Sequence, residues 1–148
     1  MNKKDAYLIA GAIALADTAV KGFIKDPPVK NYGFAGNRMD KHPEAVAYVS
    51  AVLTGAVAAA TAFAPPVIRL PLALILGGSL SNSADRLIRG YVVDYIPMGK
   101  GSGGRRYYGN ISDLAIFIGA GAGAVIYLLC GDADRPGVDL KSYSESGI

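Results

Sequence analysis

The apolar residues of this chain gather into blocks separated by polar stretches. A helix that crosses a bilayer needs about 20 mainly apolar residues, because the hydrocarbon is about 30 Å thick and a helix rises about 1.5 Å per residue. Four blocks meet or approach that length. Ala45 to Ala64 carries no charge, and neither does Leu114 to Gly131, which extends back through Ile111. Leu70 to Ala84 is apolar and Gly-rich and ends in the polar run SNSADR. Ala6 to Ala16 is short and crosses only by continuing through Asp17 and Lys21 to Ile24. Ala64-Pro65-Pro66 marks a sharp turn between the second and third blocks. The pattern predicts an all-α membrane protein: four transmembrane helices within residues 1–131, short polar loops, and a polar tail over 132–148.

Composition supports the bilayer reading. Of 148 residues, 51% are hydrophobic and only 18% are charged, with 19 Gly and no Trp. A soluble domain of this size carries more charge. The length fits one domain. The single Cys, Cys130, excludes an internal disulfide framework, and its apolar surroundings suggest a buried thiol. A net charge of +3 with no stripe of interleaved basic and aromatic residues argues against nucleic acid as a partner. The N-terminus has a second reading. Met1 to Lys4 is a positive n-region, and Ala14-Leu15-Ala16 has the small residues of a signal-peptide cleavage site.

Four spans put both termini on one side and both long polar stretches on the other. Lys3, Lys4, Arg69, Arg135 and Lys141 fall on the terminal side. The other ten of the 15 basic residues fall on the loop side or at its interface. By the positive-inside rule alone the termini lie outside. Tyr91, Tyr95, Tyr107 and Tyr108 suit a membrane interface.

An ionisable group inside a span is costly and marks a functional site by default. Here such groups gather at one end of the spans. Asp17 and Lys21 stand four apart, on one face of the first helix. Asn82, Asp85, Arg86 and Arg89 end the third, and Asn110 and Asp113 begin the fourth. The stretches holding Asn31 and Asp94 lie on the same face of the membrane. Two carboxylates at one site suggest aspartic-protease chemistry, because like charges a few Å apart share a proton. The charged partner takes a proton from water while the neutral one polarises a carbonyl. Spacing alone leaves open which two of Asp17, Asp85, Asp94 and Asp113 form the pair.

The segment GGSLSNSADRLIRGYVVDYI, from Gly77 to Ile96, resembles the central signature of the bacterial lipoprotein signal peptidases, the signal peptidase II family. YYGNISDLAIFIGA, from Tyr107 to Ala120, resembles their last signature. DTAVK at Asp17 to Lys21 and NYGFAG at Asn31 to Gly36 are similar to their two earlier ones, in the family's order. The resemblance implies a catalytic pair at Asp94 and Asp113. It implies site-lining roles for Asn31, Asn82, Asp85, Arg86 and Asn110, with a structural Asp85–Arg86 role favoured. Asp17 and Lys21 become a structural pair on a first helix that is retained. It further implies four spans, cytoplasmic termini, a bacterial inner-membrane location with the active site near the extracytoplasmic face, and no metal or other cofactor. The substrates would be diacylglyceryl-modified prolipoproteins, cut before the lipidated Cys. Membrane lipids would be the other partners, and the chain is expected to be a monomer.

Several positions depart from the family pattern. Ser81 stands where Gly is usual, Ser112 where Ala is usual, and Gly109 where Phe is usual. The stretch between the first two spans is short. Two other readings fit parts of the pattern: a catalytically impaired relative that binds lipoprotein or lipid, and a small polytopic transporter. A transporter needs polar residues deep along several spans. The second span offers only Ser50, Thr54 and Thr61, and the charges cluster at one end.

Overall fold

The structure is a computed structural model that describes residues 1–33, 39–100, 104 and 106–131. Four helices of 21 residues each dominate it: α1 (Lys3–Phe23), α2 (Pro43–Phe63), α3 (Arg69–Arg89) and α4 (Ile111–Gly131). At about 1.5 Å per residue each is about 31 Å long. Three are long and apolar enough to cross a membrane: Lys3–Phe23, Pro43–Phe63 and Ile111–Cys130. The tail over 132–148, Arg105 and the latter part of the NYGFAG segment lie outside the described residues.

Local chemistry sets the helix ends. The Asn2 side chain accepts the Asp5 N–H at 2.9 Å and caps α1. Pro43 opens α2, where a missing N–H costs nothing. Ala64, ahead of two prolines, is extended and ends it. The third helix runs past Ala84, through the polar run to Arg89. It stops at Gly90, whose φ of 80° suits a residue without Cβ.

α3 is the centre of the bundle and packs against the other three helices. Adjacent glycines allow this on two faces. A Cβ on Gly77 would meet the Ala10 carbonyl of α1 at 2.7 Å, and one on Gly78 would collide with the Ser112 carbonyl of α4. These close approaches bring Asp17, Ser81 and Ser112 within bonding reach of one another.

The burial pattern is inverted relative to a soluble protein. Asp17, Asn110 and Ser112 are 0% exposed and Lys21 is 1% exposed. Leu15, Phe23, Phe63, Ile88 and Leu129 are all exposed on the outside. Cys130 is exposed too. An apolar run in a spanning helix does not imply burial in protein, because its outer face meets lipid.

The expectation of an all-α chain with short polar loops needs correction. The polar stretches form two small antiparallel sheets. β1 (Val29–Asn31) pairs with β2 (Val92–Asp94), with Val29 opposite Asp94 and Asn31 opposite Val92. β3 (Ile96–Lys100) pairs with β4 (Arg106–Gly109) through an irregularity between Pro97 and Gly99. Val92 and Val93 are each 1% exposed, so β2 is a buried strand and not a loop. Its partner is far away in sequence, so no local turn signal announces the pairing.

Candidate active site

The two sheets and the loop-side ends of α1, α3 and α4 hold the polar groups. β2 ends on Asp94, β1 ends on Asn31, and β4 delivers the chain to Asn110, which begins α4. Asn110 and Asp113 cap each other. The Asp113 N–H donates to Asn110 Oδ1 at 2.8 Å, and the Asn110 N–H donates to Asp113 Oδ2 at 3.3 Å. This is a capping box with Asp at its third position. The fold of the helix start therefore fixes where the Asp113 carboxyl points.

Three asparagines orient the two carboxyl groups. Asn110 Nδ2 donates to Asp94 Oδ1 at 2.9 Å and Asn31 Nδ2 donates to Asp94 Oδ2 at 3.1 Å. Asn82 Nδ2 donates to Asp113 Oδ1 at 2.9 Å. Each amide is locked by its own oxygen. Asn31 Oδ1 accepts the Gly33 N–H at 3.2 Å, Asn82 Oδ1 accepts from Lys21 Nζ at 2.9 Å, and Asn110 Oδ1 is held by the Asp113 N–H. With the oxygen engaged, the NH2 is turned toward the carboxylate; that of Asn110 also reaches the Val93 carbonyl at 3.3 Å.

Behind this layer lies a buried charge cluster. Lys21 Nζ lies 2.7 Å from Asp17 Oδ2 and 3.0 Å from Asp85 Oδ2. Asp17 Oδ2 also accepts from Ser81 Oγ at 2.7 Å and Ser112 Oγ at 2.6 Å, and its Oδ1 accepts from the Tyr95 hydroxyl at 2.8 Å. The Tyr95 phenol is pushed above its usual range by burial and by this bond, so it stays a donor. Asp85 also accepts the Val93 N–H at 3.3 Å, tying β2 to α3, and pairs with Arg89 at 3.3 Å. Arg86 turns elsewhere, to the Gly33 carbonyl at 3.0 Å. The partners of Asp85 are thus Lys21 and Arg89, where the sequence reading favoured Arg86. A one-turn offset puts Arg89 beside Asp85, while residue 86, next in sequence, points about 100° around the helix.

A cavity of about 680 Å³ opens on this layer, between α2, α3 and α4. Asn31, Asn82, Arg86 and Asp113 line one end, and Leu53, Ile116 and Phe117 line the apolar side. Asp94 lies deeper, at 2% exposure. Burial, and then the Asp113 carboxyl nearby, push the Asp94 carboxyl up to about 6. Such an arrangement can hold one proton between two carboxyl groups, one of them lining a cavity with an apolar wall. Among the described residues no group of three or more His, Cys, Asp or Glu is placed to hold a metal ion.

A family model for signal peptidase (SPase) II matches residues 2–129. The chain belongs to the signal peptidase II family. Relatives in that family include the lipoprotein signal peptidase of Shewanella oneidensis, 46% identical over 55 residues, which are 36% of this chain and 31% of the relative. That of Photorhabdus laumondii is 49% identical over 49 residues, 33% of this chain and 29% of the relative. That of Moorella thermoacetica is 45% identical over 56 residues, 36% of this chain and 33% of the relative. The matched stretches thus span about a third of these relatives' length. The fold is similar to a solved bacterial membrane enzyme, with a TM-score of 0.71 at 20% identity over 92% of this chain and 93% of that one. This signal peptidase II family member is a multi-pass membrane protein, mostly helical with small sheets.

The structure brings together the site residues that the family resemblance points to: Asn31, Asn82, Asn110, Asp94 and Asp113 in one layer, and Asp17, Lys21 and Asp85 in the layer behind. Arg86 lines the cavity beside them. Sequence reasoning missed the bonding roles of Ser81, Ser112 and Tyr95. Both serines stand at departures from the family signature, so a signal was present. Tyr95 follows Asp94 directly, yet its ring could equally have met the membrane interface.

Proposed function

We propose that this chain is an integral-membrane aspartic endopeptidase that removes signal peptides from diacylglyceryl-modified prolipoproteins, cutting before the lipidated Cys. The observation that carries this reading is the pair Asp94 and Asp113, joined through Asn110, with Asp113 lining a cavity that has an apolar wall. Two carboxyl groups sharing a proton need no covalent intermediate. The ionised member takes a proton from water as the water attacks the scissile carbonyl. The neutral member donates to that carbonyl oxygen as charge develops. Asn31, Asn82 and Asn110 hold the two groups in place, and Arg86 lines the cavity that receives the peptide.

On this reading α3 is the fourth span. It carries Asn82, Asp85, Arg86 and Arg89, which lower its hydropathy. The first three turn inward, where α1, α2 and α4 shield them from lipid. Residues 1–131 form the peptidase unit, working as a monomer among membrane lipids. Its active site faces the extracytoplasmic side of a bacterial inner membrane and its termini face the cytoplasm. The basic loop-side residues oppose that orientation under the positive-inside rule, and a fusion-reporter map of both termini decides it.

The deciding experiment for activity co-expresses the chain with a lipidated prolipoprotein. Wild type, Asp94→Asn and Asp113→Asn are compared by the mobility shift of the substrate. Processing by wild type and its loss in both variants is the expected result. Equal processing by all three would remove the pair from the chemistry.

A further inference from the structure

The cavity beside Asp113 continues along α2 and α3, and there it carries hydroxyl groups that the carboxylate chemistry does not use. Ser50, Thr54 and Ser83 all line it. Ser50 lies seven residues into α2 from Pro43, about 10 Å along the axis. It is 7% exposed, and among the described residues its Oγ has no hydrogen-bond partner. That is unusual for a serine inside a helix, which ordinarily donates back to the carbonyl four residues earlier. Thr54 and Thr61 do so, to Ser50 O and Val57 O, each at 2.8 Å.

The other two hydroxyls are engaged. Thr54 Oγ1 lies 2.8 Å from the Ser50 carbonyl and 3.4 Å from the Ser79 carbonyl, and it shares a hydrogen bond of 2.8 Å with Ser83 Oγ. Of the three, Ser50 alone has no partner among the described residues. The cavity it lines also carries Leu53, Ile116 and Phe117. A buried hydroxyl left unmade in such a place costs free energy unless an occupant takes it up.

We propose that Ser50 Oγ is a subsite that donates a hydrogen bond to a carbonyl oxygen of the bound substrate. The inference rests on the peptidase reading. A peptide drawn out straight at the carboxylate pair leaves carbonyl groups unpaired in a water-poor cavity, and a donor there offsets that penalty. An acyl ester of the substrate lipid presents the same acceptor. Ser50 is in either case a binding residue, separate from the residues that hold the carboxyl groups.

The test uses the full chain in nanodiscs with two lipidated substrates of one peptide sequence. One carries ester-linked chains and the other ether-linked chains that lack the ester carbonyl. Ser50→Ala is expected to raise KM about fivefold on the ester substrate, the size of one lost hydrogen bond, with kcat held. The thermal midpoint should not fall, because the removed hydroxyl has no partner among the described residues. A rise on both substrates assigns the acceptor to the peptide. A rise on the ester substrate alone assigns it to the lipid. An unchanged KM on both overturns the subsite while leaving the peptidase reading intact. So does a fall in kcat that tracks a fall in thermal midpoint. Absence of cleavage by the wild type overturns the peptidase reading and the subsite with it.

Discussion

Asn110 gives an amide hydrogen to Asp94 Oδ1 at 2.9 Å. The oxygen of the same amide takes the Asp113 N–H at 2.8 Å. One side chain thus caps a helix and sets the relation of two carboxyl groups. The two roles can be separated by substitution. Ser at this position keeps an N-cap acceptor and loses the reach to Asp94. Asn110→Ser is expected to keep the thermal midpoint close to wild type, while cleavage falls about 10- to 100-fold as the carboxyl groups lose their alignment. Asn110→Ala is expected to lose cleavage and, in addition, about 1 kcal/mol of stability with the cap. Wild-type cleavage by Asn110→Ser, with loss confined to Asn110→Ala, would show that capping is the whole of its role.

The buried Asp94 carboxyl makes the protein sensitive to pH in a definite direction. Folded, it holds its proton up to about pH 6; unfolded, it releases it near the ordinary 3.8. The folded state binds more protons between those values, so stability is full below about pH 4 and falls as pH rises toward 6. The loss is about 3 kcal/mol, levelling off above that window. Asp94→Asn is expected to remove this slope in thermal midpoints taken from pH 4 to 7. For the wild type, cleavage is expected to decline as pH rises past about 6, since the pair then loses the proton it shares. An identical slope in wild type and variant would place the titration elsewhere.

Lys21 has two carboxylates, Asp17 and Asp85, within 3.0 Å and is 1% exposed. Lys21→Met leaves Asp17 buried without a cation and Asp85 with Arg89 alone, and is expected to cost about 3–5 kcal/mol. It also frees Asn82 Oδ1, so the Asn82 amide can turn away from Asp113. Asp85→Asn in the same chain removes one of these two charges. The double variant is therefore expected to be more stable than the sum of the two single losses predicts, by about 1–3 kcal/mol. Thermal unfolding in a single detergent measures all four corners of this cycle. Strict additivity would mean that the 3.0 Å contact carries no coupling.

The helices were legible in the sequence because a bilayer demands long apolar runs, and Ala45 to Ala64 and Leu114 to Gly131 meet that demand without charge. The i, i+4 and i, i+3 spacings also gave Asp17–Lys21 and Asn110–Asp113 as neighbours, and both pairs meet. The small sheets were not legible. β2 is three residues long, and its partner at Val29 to Asn31 lies on the far side of two helices in the chain. Asp85 pairs with Lys21 and with Arg89 one turn away, partners that a role shared with the adjacent Arg86 does not anticipate. The type of residue at Tyr95 suits an interface but does not reveal that its hydroxyl donates to Asp17 of another element.

Ser81 and Ser112 turn two departures from the family signature into a matched set. Both donate to the same oxygen, Asp17 Oδ2, at 2.7 and 2.6 Å, from α3 and α4 onto α1. Each is nearly or fully buried, at 2% and 0% exposure. A buried carboxylate gains more from an added donor than a neutral acceptor does. Replacing Ser112 by Ala removes one such bond and is expected to cost about 1.5–3 kcal/mol. Ser81→Gly removes the other and adds about 0.5–1 kcal/mol for glycine within a helix. Neither serine touches Asp94 or Asp113, so the turnover of the folded fraction is expected to stay near wild type. The measurement pairs thermal midpoints with kcat normalised to folded protein. A large fall in kcat with unchanged midpoints would instead place these hydroxyls in the chemistry, through Lys21 and Asn82 to Asp113.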